Sequence, residues 1–161
     1  MRQDPPRLAE LRRHLILDSS REQAYDDLTR LLATSLEVPI ALVNLLDSQR
    51  DWFKSSFGLP VTESPASTSF CESIFSTPQD LIVVEDTRQD PRFATLPLVV
   101  NAPFIRFYAA ARLTSDGHTL GTLCAYDLRP RQITAGQIAQ MRTLATAAMA
   151  LICGRPGPPS S

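Results

Sequence analysis

The chain is expected to adopt an α+β fold, with an antiparallel sheet and its terminal helices packed together on one face. Three observations predict this. Helical apolar spacing occurs at both ends, a continuously apolar run reads as a central strand, and a tight-turn hairpin precedes the last helix.

The elements follow in order. Leu8, Leu11 and Leu15 recur at helical spacing after Pro5-Pro6, giving a short amphipathic helix. A second helix is expected from Ser20, with Gln23 as capping-box partner and Ala24, Leu28, Leu31, Leu32 and Leu36 on its apolar face. Pro39 ends it. Ile40 to Leu46 is too continuously apolar for a half-exposed strand and reads as a central one. A turn at 47–50 leads into a strand from Asp51 to Phe57, and strand character returns from Leu81 to Val84.

Asp116-Gly117 is the preferred centre of a type I′ hairpin turn. If Ser115 pairs with His118, then Arg106 faces Asp127, Phe107 faces Tyr126 and Ala109 faces Cys124. The Arg106–Asp127 charges favour this register by roughly 0.2–1 kcal/mol. A last helix is expected from Thr134, with Gln137 completing its capping box and a stripe from Ile138 to Ile152 facing inward. Residues 1–6 and 154–161 read as flexible tails, the second rich in Pro, Gly and Ser, around one domain over 7–153. The long middle stretch from about 58 to 104 carries only short elements, a pattern common in binding loops.

A chain of 161 residues buries roughly two-thirds of its unfolded surface, enough for a core without staples. With 43% hydrophobic and 20% charged residues, it is expected to be globular rather than disordered. Its net charge of −1 disfavours bulk capture of nucleic acid or anionic membrane. Lys54 is the only lysine among 16 basic residues. No apolar run approaches membrane-spanning length, and MRQDPPRLAE lacks the apolar core of a secretory signal. The odd set Cys71, Cys124 and Cys153, without CxxC spacing, fits a reduced cytoplasmic compartment.

No catalytic constellation, phosphate-cradling glycine cluster or metal-ligand spacing occurs, so no enzyme activity, metal or cofactor is expected. Cys71 has two readings. It sits in the first turn of a short helix expected to run to Phe75, where a helix dipole stabilises a thiolate. The reading as a small buried apolar side chain is the favoured one, because free cysteine is among the most buried residue types. Cys124 and Cys153 read as packing. Trp52, Phe53, Phe57, Phe70, Phe93, Phe104, Phe107 and Tyr108 form either a pocket wall for a flat ligand or a space-filling core. Asp86 is a candidate to orient ligand N–H groups, and Asp90 a turn cap before Pro91. Arg106 and Arg112 share one hairpin face, where they meet solvent or an anion.

The segments LRRHLILD (11–18), PIALVNLLD (39–47), DWFK (51–54), Gly58-Leu59, Ser69-Phe70-Cys71, DPRF (90–93), IRFY (105–108) and GTLCAYD (121–127) together resemble a bacterial GAF domain. They follow the type found before histidine kinase, diguanylate cyclase and phosphodiesterase outputs. The resemblance covers about residues 7–153. It implies a PAS-like fold whose antiparallel sheet of about six strands has a helical bundle on one face and a ligand pocket on the other. It also implies a homodimer through the terminal helices. No cyclic-nucleotide signature is present, and Glu72 replaces the histidine that usually follows a bilin-attachment cysteine.

The expected function is therefore a non-catalytic sensory module for an unidentified small molecule. It would signal to an effector of histidine kinase, diguanylate cyclase or phosphodiesterase type, in cis or in trans. Trp52, Phe70, Cys71, Asp86, Phe107 and Tyr108 are its expected pocket wall. The alternatives are a thiol-dependent enzyme, like the GAF-fold proteins that reduce free methionine sulfoxide, and a dimerisation scaffold with a self-filled pocket.

Overall fold

Apolar residues on both faces of one strand place that strand at the centre of the sheet, and the computed structural model has this arrangement. It describes residues 1–155. Helices α1 (Pro5–Arg13) and α2 (Gln23–Leu36) precede strands β1 (Ile40–Leu46), β2 (Arg50–Phe57) and β3 (Glu63–Pro65). After 3-10 turns at Ala66–Thr68 and Phe70–Ser76 come β4 (Leu81–Val84) and a further turn, Thr87–Gln89. The single helical turn α3 (Pro97–Val100), strands β5 (Phe107–Ser115) and β6 (His118–Asp127), and helix α4 (Ala135–Cys153) complete the order. The six strands form one antiparallel sheet in the order β3-β2-β1-β6-β5-β4.

Strand alternation divides the core in two. Val43, Leu45, Ala109, Leu113, Leu123 and Ala125 point toward Leu32, Leu36, Met141, Leu144 and Ala148 of α2 and α4. Ile40, Leu42, Tyr108, Cys124 and Tyr126 point the other way, toward the 3-10 turns and the middle loops. Every residue of β1 is buried, as its continuous apolar run requires.

The hairpin turn forms as expected, with Asp116 and Gly117 both at positive φ and Ser115 opposite His118. Its register then departs from expectation. A bulge between Leu113 and Thr114 leaves Leu120 as an extra residue, so Phe107 lies opposite Asp127, Tyr108 opposite Tyr126 and Ala110 opposite Cys124. Directly opposed residues share a face, so this one-residue slip moves Tyr108, not Phe107, beside Tyr126. The Arg106 side chain meets the Val99 carbonyl at 3.0 Å, and Asp127 pairs with Arg131 at 2.9 Å.

Helix α4 has the expected capping box of Thr134 and Gln137. Helix α2 begins three residues later than expected, because the 19–22 segment holds Lys54. The Lys54 ammonium, completely buried, donates to Ser19 Oγ at 2.8 Å and to the Ser20 carbonyl, and pairs with Glu22 at 2.6 Å. It also lies 5.2 Å from the Tyr25 ring centroid. Helix α1 stops at Arg13, and Leu15 turns outward while Ile16 enters the core.

The first residues are not a free tail. Arg2 is buried, paired with Asp51 at 2.8 Å and Glu72 at 2.9 Å, and it donates to the Asp47 and Arg50 carbonyls. The reach of a guanidinium, which carries several donors in a fixed fork, docks this segment against β2. At the other end Arg155 pairs with Glu22 and donates to the His14 carbonyl, so Arg155 is docked too. The rest of the expected C-terminal tail, 156–161, lies outside the described residues.

Gly121 of β6 pairs with Leu45 of β1. A Cβ at Gly121 would stand 1.9 Å from the Asn44 carbonyl oxygen, so the strands meet only because this residue has none. Gly121→Ala is expected to destabilise the fold by about 3 kcal/mol, the upper part of the overpacking range, read as a lower urea midpoint. Glu10 pins α1 to the hairpin. It accepts from Arg13 at 2.9 and 2.6 Å and from Ser115 at 2.7 Å, and these bonds, with His14, hold its carboxyl at about 2 against the opposing effect of burial. The carboxylate therefore stabilises the fold above its unfolded pKa near 4.5, and that stabilisation is lost as pH falls toward 2. Glu10→Gln is expected to be less stable than the parent at neutral pH, with the gap closing between pH 4.5 and 2 in acid unfolding curves.

Candidate functional site

The face of the sheet away from α1, α2 and α4 carries a cavity of about 360 Å³, within the roughly 300–1,000 Å³ of small-molecule sites. Leu42 of β1, Phe53 of β2 and Tyr126 of β6 form its floor by strand alternation, and Phe70, Leu98 and Ile105 from the middle segments close its sides. One wall is polar. Asp51 accepts from Arg2 Nη2 at 2.8 Å, Asn44 Nδ2 at 3.0 Å and Ser69 Oγ at 2.5 Å, and both Asp51 and Ser69 line the cavity. The carboxylate charge is thus met by a guanidinium before any ligand arrives.

The neighbouring part of the same face is filled. Phe70 stacks on Phe93 with centroids 5.8 Å apart, and the Tyr108 and Tyr126 rings lie 5.2 Å apart. Phe70 also meets Tyr108 and Tyr126 at 5.4 Å each. Offset and edge contacts of this kind make a rigid wall.

Of the six expected wall residues, Phe70 lines the cavity. Tyr108 and Cys71 lie on the same side of the sheet, packed behind it and fully buried. Trp52 and Phe107 instead belong to the core beneath the helices. The physical reason is alternation: Phe107 and Tyr108 are consecutive in one strand and take opposite faces, as do Trp52 and Phe53. Asp86 caps the Thr87–Gln89 turn through the Arg88 amide at 3.0 Å and pairs with the Arg88 guanidinium at 2.9 Å. It is therefore engaged by its own turn and is not among the residues that line the cavity. Asp90 caps its turn in the expected way, accepting from Arg92 N at 2.9 Å. Of Leu42, Asp51, Phe53, Ser69, Ile105 and Tyr126, which also line the cavity, only Phe53 has a place in the expectation, among the aromatics read as either a wall or a core. The signal for two of them was present, since Asp51 and Phe53 alternate with Trp52 and Lys54 in DWFK.

Cys71 sits at the start of the Phe70–Ser76 turn. Its sulfur is 3.0 Å from Thr122 Oγ1, 3.0 Å from the Tyr108 hydroxyl that donates to it, and 3.9 Å from Cys124 Sγ. Burial pushes both thiols up, and Cys124 is held well above its ordinary value. At Cys71, hydrogen bonds with Cys124, Thr122 and Tyr108 outweigh burial and bring the thiol below its ordinary value. Cys153, expected to be packed, is exposed on α4 because its helical position faces away from the Ile152 side.

Glu10, His14 and Ser115 have the composition of a hydrolytic triad but not its geometry. Glu10 and Ser115 both meet the same ring nitrogen, Nε2 of His14, at 3.2 and 3.1 Å, so no relay through the two nitrogens exists. Among the described residues, no group of three or more His, Cys, Asp or Glu side chains is placed to hold a metal ion. None of their helices is long and apolar enough to cross a membrane.

Comparison with known proteins places this geometry. Over 139 residues, 85% of its length, the chain is 34% identical to a cyclic di-GMP phosphodiesterase of Pseudomonas aeruginosa. It spans 24% of that relative. The GAF domain of an Acinetobacter phosphoenolpyruvate-protein phosphotransferase superposes with a TM-score of 0.68 at 19% identity, covering 94% of this chain and 95% of that one. A type II free methionine-R-sulfoxide reductase from Thermoplasma acidophilum superposes with a TM-score of 0.63 at 11% identity, covering 81% and 92%. At these identities the two structures establish a shared fold. The profile of the GAF domain matches residues 20–152, and with the six-stranded sheet between its helices and cavity, the chain belongs to the GAF domain family.

Proposed function

We propose that this chain is the small-molecule-binding sensory domain of a bacterial signalling protein. The observation that carries this reading is the 360 Å³ cavity, roofed by loops on the sheet face opposite the helices. Its apolar floor and single polar wall suit a compact ligand that is mainly apolar and carries one or two hydrogen-bonding groups. A ligand shifts such a domain between states only by binding one of them better, and the loops that carry Phe70 and Ile105 border the cavity where it would do so. Leu31 on α2 is half exposed on the opposite side, and a helix-mediated homodimer would cover it. The phosphodiesterase relative supports an effector of that type, in the same chain or a separate one.

Native mass spectrometry of the purified protein is expected to show an excess mass that disappears on denaturation. Leu42→Phe, which pushes a ring into the cavity, should reduce the ligand-bound fraction at least tenfold, while Leu31→Gln leaves it unchanged. Protein that carries nothing, with a melting temperature unmoved by a panel of small metabolites, would leave only a dimerisation scaffold.

Thiol chemistry is the second reading, and the 3.9 Å approach of Cys71 to Cys124 favours it. Against it, both cysteines are fully buried, packed among Phe70, Tyr108 and Tyr126. No turnover of free methionine sulfoxide is expected. Turnover that disappears in Cys71→Ser would replace the sensory reading with an enzymatic one.

A further inference from the structure

A second cleft, of about 230 Å³, lies at the end of the sheet where α1 meets the β5–β6 turn, away from the cavity described above. It is smaller than the roughly 300 Å³ at which drug-sized pockets begin. Arg7, Phe75, Thr77, Arg112, His118 and Thr119 line it.

Its donors are met mainly by carbonyl and hydroxyl oxygens. The Arg7 guanidinium is buried, and among the described residues all its partners are carbonyl oxygens: Arg2 from Nε and Nη2, Leu46 from Nη2, and Thr119 from Nη1. Arg112 is nearly as buried. It donates to the Thr77 and Gln79 carbonyls, and from Nη1 to Thr119 Oγ1 at 2.7 Å. Its nearest carboxylate is Asp80, 3.8 Å away on a side chain 76% exposed. Two guanidinium groups therefore meet across Thr119, one at its carbonyl and one at its hydroxyl.

Each Nη1 has an N–H to spare, and the Thr77 and Thr119 hydroxyls each keep a proton to donate. Asp4 is the one carboxylate in this wall, and it is engaged by the Arg7 backbone N–H at 3.2 Å. Phe75 closes one side, its ring centroid 5.1 Å from the Arg7 guanidinium carbon. A concave site with two forked cations, hydroxyl donors and an imidazole fits a tetrahedral oxyanion better than a planar or apolar group.

We propose that this cleft binds a phosphate group, carried as the free ion or at the end of a small ester. The test is a titration of the 15N-labelled protein with inorganic phosphate at constant ionic strength, repeated with glycerol phosphate, chloride and acetate. Saturable shifts are expected at the amides of Arg112, Gly117, His118 and Thr119. Arg112→Gln should weaken binding at least tenfold, and Arg92→Gln, in a surface pair with Asp90, should leave it unchanged. Tighter binding of glycerol phosphate than of inorganic phosphate would identify the ester as the ligand, and the reverse would identify the free ion.

Shifts that stay linear, or that are the same in Arg112→Gln, would overturn the proposal, as would equal saturation by acetate or chloride. Should Arg112→Gln not fold, Thr119→Val decides: it removes the hydroxyl at which Arg112 converges and is expected to weaken binding severalfold. An unchanged affinity there overturns the site.

Discussion

Everything in this fold depends on the alternation of the two central strands. β1 and β6 are covered on both faces, so each successive side chain is committed either to the helices or to the loops. Burial on both sides supplies most of the stabilisation and leaves no solvent-facing side to absorb an error of register. The bulge that ejects Leu120 from the β5–β6 pairing is therefore decisive, because it sets which aromatics face the cavity. Gly121, directly after it, lets β6 lie against β1 at a separation that no side chain tolerates.

The polar seams complement this apolar scaffold. Asp51 and Lys54 leave the same strand, and each is joined to a distant segment by buried charge: Asp51 to Arg2, and Lys54 to Glu22. Such pairs add little net stability over apolar equivalents, but removing one partner leaves a buried charge alone and is strongly unfavourable. They fix where the chain before α1 and the α1–α2 connection must lie. Because Asp51 also lines the cavity, the segment preceding α1 is held by the same carboxylate that forms the polar wall.

How much of this was legible depends on the range of the interaction involved. β1 and β4 match their expected limits, and α4 begins at its capping box, because these features are set by residues within a few positions of one another. The hairpin turn was legible for the same reason. Its register was not, since nothing in the residues around Leu113 announces the bulge that shifts it. The cavity was legible as a face but not as a set of residues. Phe107 and Tyr108 are both aromatic, and only the paired strand decides which points inward. Arg2, in a segment that reads as a tail by composition, is buried because a long forked side chain finds Asp51 49 positions away.

Lys54 carries one further consequence, for the chemistry of the protein's surface. It is the only lysine in the chain, and its amine is enclosed between the α1–α2 connection and the Tyr25 ring. The exposed cationic side chains are consequently guanidinium groups, which keep their charge across the whole working range of pH and are poor nucleophiles. An amine-directed reagent meets no side-chain target on the folded surface, and labelling of Lys54 becomes a clock for the opening of the structure around it.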